Sequence, residues 1–415
     1  MQAQRKDAPE GEAIAAPVRK RHVLFVPGYD PIAPRRYREL YRREAARQAA
    51  ISGYEIGVEG QTGQGGNYAW NVWSRSHDIE VETTIEFLTW EDIVRSSMNR
   101  SIVGSFWVMV KTVFIYVATG AFFRLVRLRP QPMLAALYPV IVLLAQLEAA
   151  LLTFAGIWWI STAWIGVHSS VGSIGGLAGF MALMMFFYRQ DRYVFAYYLI
   201  NDYGFTCGDW GRTPKPLAAR IDVFRARLAE VCDSDIDEVL IVGHSTGAHI
   251  AAMALAAHLR QDSGRAGPAI SFLTLGQVIP MLSFLPKAKP LRTDLNYLSQ
   301  SSRIAWVDIS APGDGGCFAL SDPVHVTGVA PDPDKKLWPK IISAAYSHTL
   351  SPEVLAKTKW RFFRRHIQYL CAFDYPRDYD YFQITAGPMT LQERFAWRGA
   401  TASRKETPLS YYRDY

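Results

Sequence analysis

The run Gly-His-Ser-Thr-Gly at residues 243–247 offers a nucleophile. Ser245 stands between two glycines, after the apolar run Glu-Val-Leu-Ile-Val (238–242) and before an alanine-rich segment (247–259). A serine hydroxyl attacks a carbonyl carbon effectively only with help. A base must take its proton, an acid must orient that base, and N–H donors must hold the oxygen that becomes negative. A serine in an ordinary glycine loop is the plain alternative. A strand before and a helix after favour a nucleophile on a sharp strand-to-helix turn. Gly243 and Gly247 let neighbouring segments approach where a side chain would clash.

Those elements belong to a longer alternation. Residues 21–30 (RHVLFVPGYD) read as a buried strand ending in a Pro-Gly turn, and 34–50 as a charged helix. Residues 79–90 alternate and are rich in Thr, Val and Ile, which is strand-like. An amphipathic helix over 220–232 leads to the strand 238–243 and the helix 247–259. Strands follow at 270–276 and 303–310. Strands alternating with helices predict an α/β fold, a mostly parallel sheet covered on both faces.

In this order of strand, Gly-x-Ser-x-Gly, helix, strand, strand-Asp and His, the chain resembles the α/β-hydrolase superfamily, in particular membrane-associated, lipase- or esterase-like serine hydrolases. The resemblance covers roughly residues 20–100 and 195–385. It implies an oxyanion hole made by the N–H of Thr246, after the nucleophile, and the N–H of Tyr29 in the turn Pro-Gly-Tyr-Asp. It also implies an acid beyond a later strand. Asp314, in the loop Ala-Pro-Gly-Asp-Gly-Gly, fits that place, whereas Asp308 lies inside its strand and is expected to point into the sheet layers. For the base, His22, His77, His168 and His258 lie before the turn or on its helix, and His244 and His249 flank the serine without being able to turn back to it. His325, His348 and His366 remain. His348 follows the strand-like run Lys-Ile-Ile-Ser-Ala-Ala-Tyr. His366, three residues before Tyr369, looks like the catalytic histidine of several membrane-associated hydrolases of this fold. His366 is preferred and His348 stays open.

The middle of the chain is of another kind. From Ile102 to Phe123 the only formal charge is Lys111, and from Met133 to Phe187 it is Glu148. The first run has 22 residues, roughly 33 Å as a helix, enough to cross a bilayer. The second has 55, too many for one crossing. Because one sheet needs both flanking halves of the chain on the same side, the total number of crossings must be even. With one crossing over 102–123, the second run must supply one or three, as three short helices or with one re-entrant or interfacial helix. Gly172, Gly175, Gly176 and Gly179 suit tight helix packing there. Arginines flank both ends and the first short loop, so charge hardly decides orientation. About 100 residues without a signal peptide precede the first apolar segment, so the catalytic side is expected in the cytoplasm.

Composition agrees. The chain has 415 residues, is 49% hydrophobic and carries a net charge of +7. Its basic residues are scattered and many flank apolar runs, which suits an anionic membrane surface better than nucleic acid. Cys207, Cys232, Cys317 and Cys371 lie far apart, so neither a zinc site nor a disulfide framework is suggested. The expected organisation is a disordered tail (1–20), a first hydrolase part (21–100), a membrane-embedded insertion (101–190), a second hydrolase part (191–400) with a cap near 320–362, and a terminal tail (401–415). The expected function is cleavage of an amphiphilic acyl ester or thioester at the lipid bilayer, without metal or organic cofactor. Trp338, Leu337, Tyr346, Leu350, Trp360, Phe362 and Phe363 are candidates to line an acyl channel or sit at the interface. The rival is a catalytically silent membrane scaffold of the same fold.

Overall fold

The computed structural model describes residues 16–62, 67–76, 78–98, 100–262, 264, 267–359 and 361–415. Most of the expected N-terminal tail and Trp360 lie outside the described residues.

Eight strands form one mixed sheet in the order β2-β3-β4-β1-β5-β6-β7-β8. Their ranges are β1 Lys20–Val26, β2 Glu55–Thr62, β3 Tyr68–Ser76, β4 Ile79–Phe87, β5 Glu238–His244, β6 Ala269–Leu275, β7 Ile304–Ser310 and β8 Lys340–Ser343. Strand β3 runs antiparallel to both neighbours, and the pairs among the other strands are parallel. The central strands β5 and β7 are buried along their whole length, which is why they read as mostly apolar runs. Strands β2 and β3 were not anticipated. β2 carries two glycines and β3 an asparagine and two serines, and these interrupt the apolar alternation that marks a strand. β8 completes the sheet edge, so the stretch expected as a cap is in part sheet.

From β1 the chain moves to one side of the sheet, building β2 to β4. It returns at β5 on the other side and continues outward to β8. The carboxyl ends of β1 and β5 lie side by side, with Val26 opposite Gly243. Such a reversal opens a crevice where ligands bind in open α/β sheets.

The helices of the first two thirds of the chain are α1 Pro34–Ser52, α2 Glu91–Met98, α3 Ile102–Ala118, α4 Ala121–Leu128, α5 Pro130–Trp159, α6 Ser169–Arg189, α7 Asp191–Val194, α8 Ala196–Gly211, α9 Lys215–Cys232 and α10 Gly247–Gln261. α9 and α10 bury Leu228, Leu255 and their neighbours on one face of the sheet. α1 and the short helices Tyr381–Ala386 and Leu391–Ala396 cover the other.

The apolar middle departs from expectation in two ways. The run 102–123 is not one straight helix. It stops at Ala118, because Thr119 Oγ1 donates to the Ile115 carbonyl at 2.7 Å and Gly120 turns left-handed at φ 68°. α3 buries Val108, Met109, Thr112, Ile115 and Tyr116 toward the domain, and the Tyr116 hydroxyl donates to the Met281 carbonyl. The long run then forms two long helices, not the three short ones that were one of the alternatives. α5, prolonged by a π-helical turn to Trp164, and α6 are each long and apolar enough to cross a membrane. The bent pair α2–α3 would make a third span only if counted as one element. α5 and α6 pack closely where a Cβ on Gly176 would come 2.8 Å from the Phe154 carbonyl oxygen. Ile141, Leu144, Leu152, Ile174, Leu177 and Met181 face outward.

Residues 401–415, expected as a tail, lie against the domain. Lys405 N–H donates to the Leu320 carbonyl, Lys405 Nζ to the Leu128 carbonyl at 2.5 Å, and Ser410 is fully buried.

Candidate functional site

Ser245 follows β5 with φ at 55°, a left-handed backbone that a non-glycine residue adopts only under strain. Its N–H donates to the Leu275 carbonyl, and its carbonyl accepts from Ala248 N–H. The turn is tight: a Cβ on Gly247 would lie 2.2 Å from the Val26 carbonyl oxygen, and one on Gly243 would lie 2.6 Å from Ala248 Cα. On the other side of the crevice, Gly28 leaves room for the serine. A Cβ there would come 3.0 Å from Ser245 Cβ and 3.5 Å from its Oγ. Val26 opposite Gly243 in the sheet therefore carries the turn Pro27-Gly28-Tyr29 directly to the serine.

That turn is held through its carbonyls. Trp90 Nε1–H donates to the Pro27 oxygen at 3.0 Å and the Tyr198 hydroxyl to the Tyr29 oxygen. Among the described residues, the backbone N–H groups of Tyr29 and Thr246 donate to no protein group, although both residues are buried. Buried amides are nearly always paired. Two unpaired ones beside a strained serine are donors available to an anionic oxygen.

Asp314 follows β7 in a loop and is fully buried. Its Oδ1 accepts from Gly316 N–H at 2.8 Å, and its Oδ2 accepts from His366 Nδ1–H at 2.8 Å and from the Tyr369 hydroxyl at 3.0 Å. Burial alone would raise this carboxyl, but the charge of His366 and these hydrogen bonds hold it below its ordinary value. Burial opposes protonation of His366, yet Asp314 outweighs it and raises the imidazole above its ordinary value. Because Nδ1 carries the proton toward Asp314, Nε2 is left as the acceptor.

His366 ends the short helix Phe362–His366. It reaches the serine's surroundings through shared neighbours. Its ring lies 4.8 Å from that of His244, and His244 Nε2–H donates to the His366 carbonyl at 3.0 Å. A Cβ on Gly276, next to the residue that binds Ser245 N–H, would lie 3.2 Å from His366 Cε1. Ser245 Oγ makes no hydrogen bond among the described residues, a common state before substrate binds. Burial drives His244 down to about 3, so it stays neutral.

Of the histidines kept open, the structure brings His366 to a carboxylate. His348 is exposed, in the short helix Tyr346–Thr349. His325 pairs with Asp322, whose carboxylate also binds Lys336. Asp308 is buried within β7 and accepts from the Thr274 hydroxyl. The residues expected to line an acyl channel divide. Tyr346 and Leu350 are core around Tyr369 and Phe373, Trp338 is packed with its N–H on the Ser301 carbonyl, and Leu337, Phe362 and Phe363 are exposed.

Helix α8, which follows the apolar hairpin, contributes what sequence reasoning missed. Besides Tyr198, it supplies Asp202, whose Oδ1 is shielded from solvent and unpartnered. Burial pushes this carboxyl up to about 7, while the charge of His366 pulls it the other way. A lone acid in the aromatic run Ala-Tyr-Tyr-Leu-Ile-Asn-Asp-Tyr-Gly-Phe was the available signal. Phe195 and Tyr198 also pack against Phe363, tilted and edge-on, at 4.8 and 5.9 Å between ring centroids. The start of α8, just beyond the hairpin, thus touches both the Tyr29 turn and the helix that carries His366.

Comparison with models of known protein families, with curated proteins and with solved structures finds no match to the chain.

Proposed function

We propose that the chain is a membrane-embedded serine hydrolase of the α/β-hydrolase type, cleaving an acyl ester or thioester. The observation that carries the reading is the paired Asp314 and His366 beside a left-handed Ser245, with the unpaired N–H groups of Tyr29 and Thr246 next to it. In this mechanism His366 Nε2 takes the Ser245 proton as Oγ bonds to the acyl carbon. Asp314 keeps the imidazole in the right tautomer and stabilises its charged form. The two N–H groups hold the tetrahedral oxyanion. His366 then gives the proton to the departing alcohol or thiol, and water, deprotonated by the same base, releases the acyl group and frees the serine.

In the same reading α5 and α6 cross the bilayer as a hairpin, while α3 lies in the interface with Trp107, Val110 and Phe114 outward. Two crossings return the chain to the side it left, as one sheet demands. The catalytic domain is assigned to the cytoplasmic side. Trp164 at the far end suits the opposite interface. Cysteine labels in Gly60→Cys and Glu230→Cys are expected to be reached from the cytoplasmic face alike, and one in Trp164→Cys from the other face. Opposite faces for residues 60 and 230 would rule out the hairpin arrangement.

The substrate is assigned to amphiphilic acyl compounds, because the chain that leaves the hairpin runs directly into α8, which packs against the site. A fluorophosphonate probe should label the protein in isolated membranes. Across acyl esters presented in liposomes, kcat/KM should rise with chain length, each buried CH₂ contributing up to about 0.8 kcal/mol. No labelling would remove the hydrolase reading. Labelling with flat rates beyond short chains would keep the hydrolase and remove the lipid.

A further inference from the structure

We propose that an arginine-lined cleft between α1 and the His366 helix holds a phosphate group carried by the acyl substrate. The proposal rests on the hydrolase reading above and adds the chemistry of the substrate's other end.

The cleft has a volume of about 700 Å³ and is bounded by Arg35, Arg36, Glu39 and Arg43 of α1 and by Arg364 and Ile367. It adjoins the candidate site along the chain at both walls. Ala33, also on its rim, is four residues beyond Tyr29, and Ile367 directly follows His366.

Its charges are unbalanced. The acids nearby are already taken. Glu39 binds Arg38 at 2.9 Å and Arg42 at 3.0 Å, and Glu44 binds Arg43 at 3.0 Å and accepts from Ala372 N–H. Asp30 accepts from the Tyr37 hydroxyl and Ile32 N–H. Among the described residues, the exposed Arg35 and Arg36 form no salt bridge with a carboxylate, and the charge of Arg36 acts on Asp30 without direct contact. Arg364 donates to Cys371 Sγ at 2.9 Å. Burial pushes that thiol up to about 11, so this partner is neutral sulfur, and the negative charge that acts on Arg364 is that of Glu44, which Arg43 already binds.

The placement of Arg35 and Arg36 points the same way. They occupy the first turn of α1, which holds no acid, and Ala33 at the N-cap supplies no side-chain acceptor. Free N–H groups give that end of a helix a partial positive charge, so acids are favoured there and arginines are not. Two unpaired arginines there, facing a third across a cleft, form an arrangement that an anion would stabilise. Planar guanidinium forks match phosphate oxygens in pairs. The Phe362–His366 helix carries both Arg364 at the cleft and His366 at the candidate site, so one element serves the phosphate end and the acyl end of the same amphiphilic molecule.

The test compares kcat/KM for a phosphate-bearing acyl ester with that for a neutral acyl ester of equal chain length, each as a soluble short-chain monomer and in vesicles. A neutral ester in anionic vesicles is the surface-charge control. In wild type the phosphate ester should be preferred, and the double variant Arg35→Gln/Arg36→Gln should reduce that preference on the order of tenfold or more. Arg75→Gln, an exposed arginine on β3 with the same change of charge per residue, should leave it alone. A preference for the phosphate ester in both forms supports the cleft and allows soluble or lipid sources. A preference confined to vesicles supports it for a lipid headgroup, provided the neutral ester gains nothing in anionic vesicles. An equal gain by that neutral ester would mean attraction to the surface and overturn the proposal. So would a preference that survives Arg35→Gln/Arg36→Gln. Binding of phosphate-bearing vesicles by the Ser245→Ala protein, with and without the arginine pair, reads the cleft independently. If wild type hydrolyses neither ester yet binding depends on the arginines, the hydrolase reading fails and the cleft stands. If neutral-ester turnover is normal and binding ignores the arginines, the reverse holds.

Discussion

Replacing Ser245 by alanine is expected to lower turnover by about 10⁵- to 10⁶-fold and to abolish covalent labelling by a fluorophosphonate, while leaving the protein folded. Removing the nucleophile of such a unit costs nearly as much as removing the whole unit, and residual catalysis comes from the oxyanion donors and binding. The fold should survive because Ser245 Oγ makes no hydrogen bond among the described residues. The contacts that hold the turn belong to its backbone, through Leu275 and Ala248, and to Gly247 against Val26. Alanine keeps that backbone, although it must bear the same left-handed conformation without the serine's polar side chain. The informative measurement is turnover together with thermal unfolding on one preparation. Undiminished turnover in a folded variant would take Ser245 out of the mechanism.

The parts of this architecture that sequence could reveal are those where one physical requirement dominates. β5 and β7 are buried along their whole length and β1 over its second half, so apolar residues dominate there, and they were visible as such. The turn at Ser245 needs small residues on both sides because the β1 end passes within 2.2 Å of where a Gly247 side chain would begin. That requirement is written in the residue types. β2 and β3 lie at the far edge, where Trp73 and others meet solvent. Glycine and polar residues are tolerated there and the pattern fades. The choice between His366 and His348 turned on which histidine a loop brings to Asp314, and this depends on long-range packing of Tyr346, Tyr369 and Phe373 rather than on local pattern. The apolar block was read only in part for a related reason. Length and hydropathy do not distinguish a helix surrounded by lipid from one like α3, which lays Val108 and Tyr116 against its own domain. Gly204 makes that contact possible, since a Cβ there would come 2.2 Å from Val108 Cγ1. It lies almost a hundred positions away in the chain.

Asp314→Asn is expected to cost about 10⁴-fold in kcat, with a change in pH dependence that simple damage would not produce. In the wild type, Oδ2 accepts from both His366 Nδ1–H and the Tyr369 hydroxyl. An asparagine amide placed there donates instead. It stabilises the tautomer with the proton on Nε2, the nitrogen that must accept from Ser245. The pH effect has a definite sign. His366 is active as a base when neutral, so kcat/KM rises with pH as it loses its proton. Asp314 raises the imidazole above its ordinary value, which moves this rise to higher pH. Removing that negative charge should move it to lower pH even as the plateau falls. Burial pushes Asp202, close to the same ring, up to about 7, so at the lower pH of the shifted limb it is largely neutral and should not hold the limb up. His366→Ala should lower turnover at least as much as Asp314→Asn and show no such limb, whereas the exposed His348→Ala should leave both rate and profile unchanged. A pH–rate profile of kcat/KM for the four proteins decides the assignment. A rise that moves to higher pH in Asp314→Asn, or a profile altered by His348→Ala, would mean that the base has been misidentified.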